Sequence, residues 1–427
     1  MVIKVCDALC GSGKTSAFIR MMNERTDKRF IFVTEFLSEV DRIMSACASR
    51  GFVTPDNNGK RKIDSINELI LAGENIATTH ALFVNCTDDI REKIREYGYV
   101  IILDETFDMC RPYSISKSDQ RILLESKAMK QDDDCGAMVW LDEKYDAADP
   151  LSVFSGAVLL SRSMNLYQNK GNLFYWMIPP DLFQCFDEVY VLTYLFEHSS
   201  LRCFMDLYGI DREYVGVKKD EVGYVICPPE EMERKRDLRR LIHIVNHEKC
   251  NDIGSSKTAL SLAWYSNKSQ EVREERHNSL RKALINIERN VFKCKQEDFM
   301  WTTFKAYYDS LKDKGLYKSF VPFNKRACND YANKHYLAYC INNFPRTLEY
   351  GFYASKNVIL NSDMYALSIL VQWVFRSAIR KGEEIWVYIP SKRMRWLLMQ
   401  WIKNLCEGND LKEIRYIDER RKKHYCD

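Results

Sequence analysis

The chain is built around residues 8–15, Ala8-Leu9-Cys10-Gly11-Ser12-Gly13-Lys14-Thr15. They follow a short apolar-rich run, Val2 to Cys6, and precede a segment typical of a helix, Ser16 to Met22. Strand, loop and helix in this order are what a phosphate-binding loop requires. Its two glycines let successive backbone N–H groups point at phosphate oxygens, and the helix that follows adds its dipole. The lysine can reach the β- and γ-phosphates, and the threonine hydroxyl can bind Mg²⁺.

The loop matches the pattern G-x-x-x-x-G-K-[ST] except at its first position, where Ala8 replaces glycine. Alanine at that position still leaves room for the turn. A glycine-rich turn with a chance lysine is the competing interpretation, and the flanking strand and helix favour a nucleotide site. The predicted nucleotide-binding residues are Cys10, Gly11, Ser12, Gly13, Lys14, Thr15 and Ser16.

Length and composition predict an enzyme-sized globular chain. Its 427 residues suggest two or three domains, at about 100–200 residues each. No apolar run approaches the roughly 18 residues of a membrane span, and the amino-terminal residues do not resemble a signal peptide. The 15 cysteines form no C-x-x-C pair and are expected to be reduced. We expect a cytoplasmic protein, in the host cytoplasm if a phage encodes it, with no membrane partner.

Neither charge nor metal-ligand spacing defines a function alone. The net charge of +3 is too small to demand nucleic acid, and each local basic cluster is interleaved with acidic residues. The nearest zinc candidate comprises His243, His247 and Cys250, without an evident fourth ligand. Ordinary polar positions on a basic helix are the favoured interpretation of these three residues.

A buried strand ending in two carboxylates supplies the second half of the predicted site. Residues Tyr99 to Leu103 are continuously apolar and lead directly into Asp104 and Glu105. Such a run is typical of a parallel strand buried on both faces, and open α/β sheets bind ligands at the carboxyl ends of their strands. We expect Asp104 to hold Mg²⁺ through water and Glu105 to polarise the water that attacks the γ-phosphate.

The remaining pattern predicts two α/β halves. The first comprises residues 1–210, with an insertion at about 110–187 and a further strand at Val189 to Phe196; the second comprises residues 211–427. In the second half we predict a first strand at Thr258 to Tyr265. Aromatic runs at 299–305 and 320–331 fit either stacking on single-stranded nucleic acid or buried packing, and the sequence leaves both open.

A helix beginning at Ala366 is predicted to carry a pair of arginines. It runs through Gln372 into Arg376 and Arg380. Because positions four apart share a helical face, both guanidinium groups are expected on one side of this helix.

With these features the chain resembles the DEAD-like superfamily 2 helicases, and in particular the divergent helicase-like proteins of bacteriophage genomes. The resemblance spans most of the chain. It implies an α/β fold with two RecA-like (P-loop NTPase) domains, each with a parallel sheet, and an ATP site in the interdomain cleft. ATP and Mg²⁺ are the implied cofactors. Nucleic acid is the implied partner, with DNA favoured over RNA, and replication or transcription proteins are further implied partners.

The resemblance also assigns roles to residues outside the loop. Phe32 to Glu35 with Arg42 looks like motif Ia, which implies that Thr34 and Arg42 contact nucleic acid. A following nucleic-acid-facing motif is matched by Thr78, Thr79 and His80. Asp104 and Glu105 match motif II, and Thr193 lies where motif III couples hydrolysis to strand movement. Motif VI is matched by Gln372, Arg376 and Arg380, which implies arginine fingers and catalytic roles.

Departures from the family pattern keep two further functions open. Motif II continues with Thr106-Phe107 rather than Ala-Asp or Ala-His, and the motif VI arginines are four residues apart where the family usually has three. An adenine-reading Q motif is missing, so weak base selectivity is expected. The alternatives are a phage DNA-packaging motor ATPase and a regulatory module that binds nucleotide without productive turnover.

Overall fold

The computed structural model of the protein describes residues 1–55, 62–79, 86–105, 109–133, 136–141, 153–169, 173–232, 237–313, 315–323, 330–408 and 414–416. The chain forms two compact units. The first comprises Met1–Met232 with Arg346–Leu360, and the second comprises Glu233–Pro345 with Asn361–Asp427. The predicted boundary near residue 210 is therefore too early. No helix within the described ranges is both long and apolar enough to cross a bilayer.

The first unit contains thirteen described strands before residue 232. They are β1 (Val2–Asp7), β2 (Arg29–Val33), β3 (Ile76–Thr78), β4 (Tyr99–Asp104), β5 (Cys110–Pro112), β6 (Met129–Gln131), β7 (Met138–Trp140), β8 (Leu166–Asn169), β9 (Leu173–Met177), β10 (Glu188–Thr193), β11 (Asp211–Tyr214), β12 (Gly216–Lys219) and β13 (Tyr224–Cys227). Its helices up to this point are α1 (Lys14–Glu24), α2 (Leu37–Ala46), α3 (Lys62–Leu71), α4 (Asp88–Glu96), α5 (Lys117–Glu125), α6 (Ser155–Arg162) and α7 (Ser200–Tyr208).

The main sheet of the first unit has six parallel strands in the order β11-β1-β10-β4-β2-β3. All six residues of β4 are buried, as its continuous apolar sequence predicts. One core of this unit packs Phe18 and Met22 of α1, with Val40 and Ile43 of α2, against the strands. β10 lies inside the sheet, between β1 and β4, whereas β11 forms an edge. The boundary falls later than predicted because β11 pairs with β1 and carries the chain past residue 210.

The predicted insertion forms its own small layer. β5, β9 and β8 make an antiparallel sheet, and β6 pairs with β7. A separate apolar cluster holds this layer together; it contains Leu123, Met129, Met138, Ala157, Leu160, Leu166 and Phe174.

The second unit begins with α8 (Leu238–Leu241), β14 (Ile242–Val245), α9 (Glu248–Asn251), α10 (Leu262–Tyr265), α11 (Gln270–Asn286), a π-helical turn (Ile287–Phe292), β15 (Phe299–Thr302), α12 (Tyr308–Leu311) and β16 (Tyr336–Tyr339). Next in the chain is α13 (Thr347–Ser355), which belongs to the first unit. The second unit then resumes with α14 (Ser362–Val374), β17 (Ile385–Tyr388) and α15 (Lys392–Glu407). Its sheet has four parallel strands in the order β14-β17-β16-β15.

Two predictions for the second half are wrong in their secondary structure. Thr258 to Tyr265 is not a strand, because the Ser261 hydroxyl accepts the Trp264 N–H at 3.3 Å and caps the short helix α10. β14 is the first strand instead. The His243 position therefore lies on a strand and not on a basic helix.

Where the structure describes the two aromatic runs, it favours buried packing over stacking on nucleic acid. Phe299 and Trp301 of β15 are fully buried, and the indole N–H of Trp301 donates to the Leu316 carbonyl at 2.7 Å. Residues 324–329 lie outside the described part of the chain. Buried aromatic packing therefore accounts for the first run and for the described start of the second.

Candidate active site

The phosphate-binding loop lies between β1 and α1, as its sequence predicts. Gly11 has a φ of 79° and Gly13 a φ of 88°, both in the left-handed region that glycine adopts without a Cβ penalty. The Ala8 N–H donates to the Thr193 carbonyl at 3.1 Å, which fixes the start of the loop to the end of β10. Cys10 is partly exposed within the loop, and Ser16 lies in the first turn of α1.

Lys14 and Ser12 give the loop the character of an anion site. The buried Lys14 ammonium donates to the Ala8 carbonyl at 2.6 Å and lies 3.4 Å from the Leu9 carbonyl. Within the described part of the chain, the buried Ser12 hydroxyl has no hydrogen-bond partner. Buried polar groups are normally paired, so an unsatisfied hydroxyl beside a buried ammonium fits a loop that receives phosphate oxygens.

Asp104 ends β4 opposite the loop. Its carboxylate Oδ1 lies 3.5 Å from the Thr15 hydroxyl, and the residue is only 7% exposed. Burial, followed by the neighbouring charge of Glu105, raises the pKa of Asp104 to about 7. Mg²⁺ is usually bound by one or two carboxylates together with waters and substrate phosphates. One hydroxyl and one buried carboxylate at this spacing fit that donor set.

Glu105 follows with a backbone conformation that is unusual for its residue type. Its φ is 76°, and its N–H donates to the Leu192 carbonyl at 2.8 Å. The Thr193 hydroxyl donates to the Glu105 carboxylate at 3.4 Å. Left-handed backbone at a non-glycine residue costs free energy and clusters at functional sites. The chain therefore turns sharply after Asp104 and presents both carboxylates at one edge of the sheet.

Glu39 is a carboxylate that sequence reasoning missed. It is buried in the first turn of α2 and accepts a hydrogen bond from the Arg42 guanidinium at 3.0 Å. Its negative charge contributes to the raised pKa of Asp104, after burial and Glu105, whereas the charge of Arg42 opposes that rise. Arg42, expected to contact nucleic acid, is thus already paired beside the carboxylates. The i,i+3 spacing of Glu39 and Arg42 was the available signal.

Asp7 at the end of β1 was also missed. Its carboxylate accepts the Leu195 N–H at 2.8 Å and the Phe196 N–H at 3.0 Å. Burial raises the pKa of Asp7 to about 6 although both hydrogen bonds act against the rise. These contacts hold the turn after β10 against the strand that leads into the loop.

The residues expected to contact nucleic acid separate into two groups. Thr34 and Thr78 are 1% and 0% exposed, and the Thr34 N–H donates to the Thr78 carbonyl at 3.0 Å. Thr78 pairs with the last residue of β2, and Thr34 follows directly after that strand, so both residues lie within the interior of the sheet. Thr79 is partly exposed at the end of β3, and His80 lies outside the described residues. An exposed contact with nucleic acid is thus open to Thr79 and to the half-exposed Arg42.

The expected motif VI residues do not share one helix. Gln372 lies on α14, which ends at Val374. Arg376 is 3% exposed and donates to the Pro322 carbonyl at 3.1 Å, whereas Arg380 is partly exposed in a 3-10 turn. The helix stops because the Ser377 hydroxyl donates to the Val374 carbonyl at 2.7 Å and the Arg376 N–H bonds the carbonyl three residues earlier. The prediction that both arginines lie on one helical face is wrong.

The three residues of the zinc candidate, His243, His247 and Cys250, are engaged in other contacts. His243 pairs with Glu384 at 2.7 Å and stacks on Trp386, whereas a ring nitrogen of His247 accepts the Cys250 N–H at 3.3 Å and caps α9. Among the residues that the structure describes, no group of three or more His, Cys, Asp or Glu side chains could hold a metal ion.

Sequence comparison relates the chain to a family model and to a curated relative. The model described as the YonV C-terminal Rossmann-like domain matches residues 236–402. Over 413 residues the chain is 36% identical to the "SPbeta prophage-derived uncharacterized protein YonV" of Bacillus subtilis (strain 168), covering 94% of this chain and 99% of that protein.

Structural comparison finds solved chains of similar fold. One titled "XPD_Helicase" is 12% identical, with 96% of this chain and 95% of that chain covered and a TM-score of 0.44. The Xpd4 structure of S. tokodaii is 13% identical, with 98% and 96% covered and a TM-score of 0.48.

Proposed function

The chain belongs to the YonV family, and we propose that it is an ATP-dependent helicase or translocase acting on nucleic acid. The observation that carries the proposal is the approach of the Thr15 hydroxyl to the Asp104 carboxylate at 3.5 Å. It joins a phosphate-binding loop to a buried acidic strand end from a different part of the chain. The prophage origin in the relative's name agrees with the resemblance to phage helicase-like proteins.

Each residue of the site has a distinct role in the proposed hydrolysis. Lys14 supplies positive charge to the β- and γ-phosphates, and Thr15 and Asp104 would hold Mg²⁺, which when bound would neutralise charge on the phosphate oxygens. Glu105 orients the attacking water and accepts its proton. Thr193 holds the Glu105 carboxylate through their 3.4 Å hydrogen bond. Because the Thr193 carbonyl also binds the Ala8 N–H, one residue positions both the carboxylate and the loop.

Coupling to nucleic acid is proposed through Thr79 and the Arg42–Glu39 pair. Arg42 is half-exposed and lies 3.0 Å from Glu39, whose charge acts on Asp104. A backbone phosphate that draws Arg42 away from Glu39 leaves an extra negative charge beside the metal-binding carboxylate. Binding of a nucleic-acid strand at Arg42 is thereby communicated to the ATP site through α2.

The test is an ATPase assay with and without single- and double-stranded DNA and RNA. Turnover should rise with at least one polynucleotide, with DNA favoured. Lys14→Ala should abolish hydrolysis, because the γ-phosphate loses its compensating charge, and Glu105→Gln should keep ATP binding while stopping turnover. If either variant still hydrolyses ATP, the assignment of Lys14 and Glu105 to the active site is wrong. Activity that ignores every polynucleotide favours a regulatory nucleotide-binding module instead.

A further inference from the structure

The β12–β13 hairpin lies directly against the phosphate-binding loop. Its strands pair antiparallel, with Lys219 opposite Tyr224. The Asp220 carboxylate accepts the N–H groups of Val222 and Gly223 at 2.9 and 2.8 Å, which closes the turn. The same carboxylate pairs with Arg20 of α1 at 2.7 Å. The hairpin is therefore held by a turn of defined geometry and by an ion pair to the helix that follows the loop.

The Tyr224 ring rests on the backbone of Gly13. A Cβ added to Gly13 would clash with the Cδ1, Cε1 and Cγ atoms of this ring. Tyr224 and Ile226 point to the same face of the strand, and both pack against the core that includes Phe18 of α1. The ring is only partly buried. Part of an aromatic ring thus remains accessible beside the loop.

The order of the sheet gives the direction in which a bound nucleotide must lie. The metal-binding and water-orienting groups, Asp104 and Glu105, follow β4, which lies on the β10 side of β1. A terminal phosphate bound by Lys14 and Thr15 would point to that side. The nucleoside end then leaves the loop on the opposite side of β1, where β11 lies and the hairpin begins.

We infer that Tyr224 is the residue on which the nucleobase stacks, so that the β12–β13 hairpin is the nucleoside-binding element of this chain. The inference rests on the proposed nucleotide site. Stacking on an aromatic ring tolerates every base, since each base has a π-face. The site should therefore accept nucleotides of any base without strict selection, and its affinity should depend on the ring of Tyr224 and not on its hydroxyl.

The test compares binding of Mg-ADP and Mg-pyrophosphate to the full-length protein by calorimetry. Tyr224→Ala should weaken ADP binding by at least about fivefold, the low end for base–aromatic stacking, and leave pyrophosphate affinity within about twofold. Tyr224→Phe should bind ADP normally. Tyr350→Ala, at an exposed tyrosine of α13, is the matched control and should change neither affinity.

Three results would overturn the inference or its premise. Equal weakening of both ligands by Tyr224→Ala shows that the ring only supports the loop. Unchanged ADP affinity shows that the base lies elsewhere. If the unmodified protein binds neither ligand, the nucleotide site itself is wrong, whereas normal ADP binding without any polynucleotide-stimulated hydrolysis removes the proposed function and leaves the stacking inference standing.

Discussion

Glu105 combines a strained backbone with the most demanding chemical role in the site. Its φ of 76° suits glycine, yet a carboxylate at this position is held by the Thr193 hydroxyl. Proteins retain such strain where the side chain is needed and the surrounding structure fixes it. The two backbone and side-chain contacts to the end of β10 provide that fixation.

Glu105→Gly should stabilise the protein while abolishing hydrolysis. Glycine adopts a positive φ at no Cβ cost, so the free energy of unfolding should rise by about 1 kcal/mol. Glu105→Ala is the matched control, because it removes the same carboxylate and keeps the strained residue. Denaturant unfolding of both variants measures the difference. A Glu105→Gly variant no more stable than Glu105→Ala would show that the turn carries little strain.

We expect Arg376 to stabilise the fold and Arg380 to act in ATP turnover. Arg376→Ala removes a buried donor to the Pro322 carbonyl, and a buried polar group left unpaired costs about 1–3 kcal/mol of stability. Arg380→Ala should leave stability almost unchanged and slow ATP turnover at least about a hundredfold, if Arg380 is the arginine finger. Thermal unfolding and single-turnover kinetics on both variants test the assignment. Normal turnover in Arg380→Ala would remove the finger from this chain.

At the scale of elements, close backbone approaches predict where a methyl group cannot fit. Gly254, in a 3-10 turn of the second unit, lies against the backbone of Pro390 and Ser391 just before α15. Gly254→Ala should therefore displace that turn and cost more than about 2 kcal/mol of stability. Gly351 of α13 has open space around it, so Gly351→Ala should stabilise by about 0.5–1 kcal/mol. Chemical denaturation of the pair checks both signs.

A charge cluster links β1, β10 and the end of α1 at the far end of the first sheet. Glu188 lies 2.6 Å from the Arg25 guanidinium and 2.9 Å from the Lys4 ammonium. Burial opposes ionisation, but hydrogen bonds from Arg25, Tyr190 and Lys4 lower the pKa of Glu188 to about 2. A lowered carboxyl pKa stabilises the fold above the unfolded-state pKa, and this contribution disappears as pH falls towards 2.

Glu188→Gln should reveal this contribution as a pH-dependent difference. At neutral pH the variant should be less stable by about 1–2 kcal/mol, a range reduced for solvent screening of a partly exposed cluster. The difference should shrink between about pH 4.5 and pH 2, where the unmodified protein loses the same charge. Melting temperatures of both proteins across this range measure it. A difference that stays constant with pH would assign the loss to packing.

At the scale of the whole molecule, features formed by neighbouring residues in the sequence can be predicted, whereas features formed by distant segments of the chain cannot. The loop is predictable because the spacing of its glycines, lysine and threonine is what phosphate binding requires, and β4 because five consecutive apolar residues, Tyr99 to Leu103, must be buried. Asp7 and Tyr224 carry no such pattern and acquire their positions only when separate segments fold together. The end of α14 is equally hard to predict, because it depends on the Ser377 hydroxyl bond to the last carbonyl of α14 and on the contact of Arg376 with the distant Pro322.

α13 belongs to the first unit, but residues 233–345 of the second unit precede it in the chain. The first unit is therefore completed only some time after its sheet has been synthesised. Tyr353 of α13 bonds Ser200, and Arg202 bonds the Ile359 carbonyl. These partners leave the ribosome roughly 130 residues after Met232, which corresponds to about 6–25 s at ordinary elongation speed. During that interval the nascent first unit exposes the surface of α7 that α13 later covers, so a chaperone that shields this surface would act before the second unit exists in full.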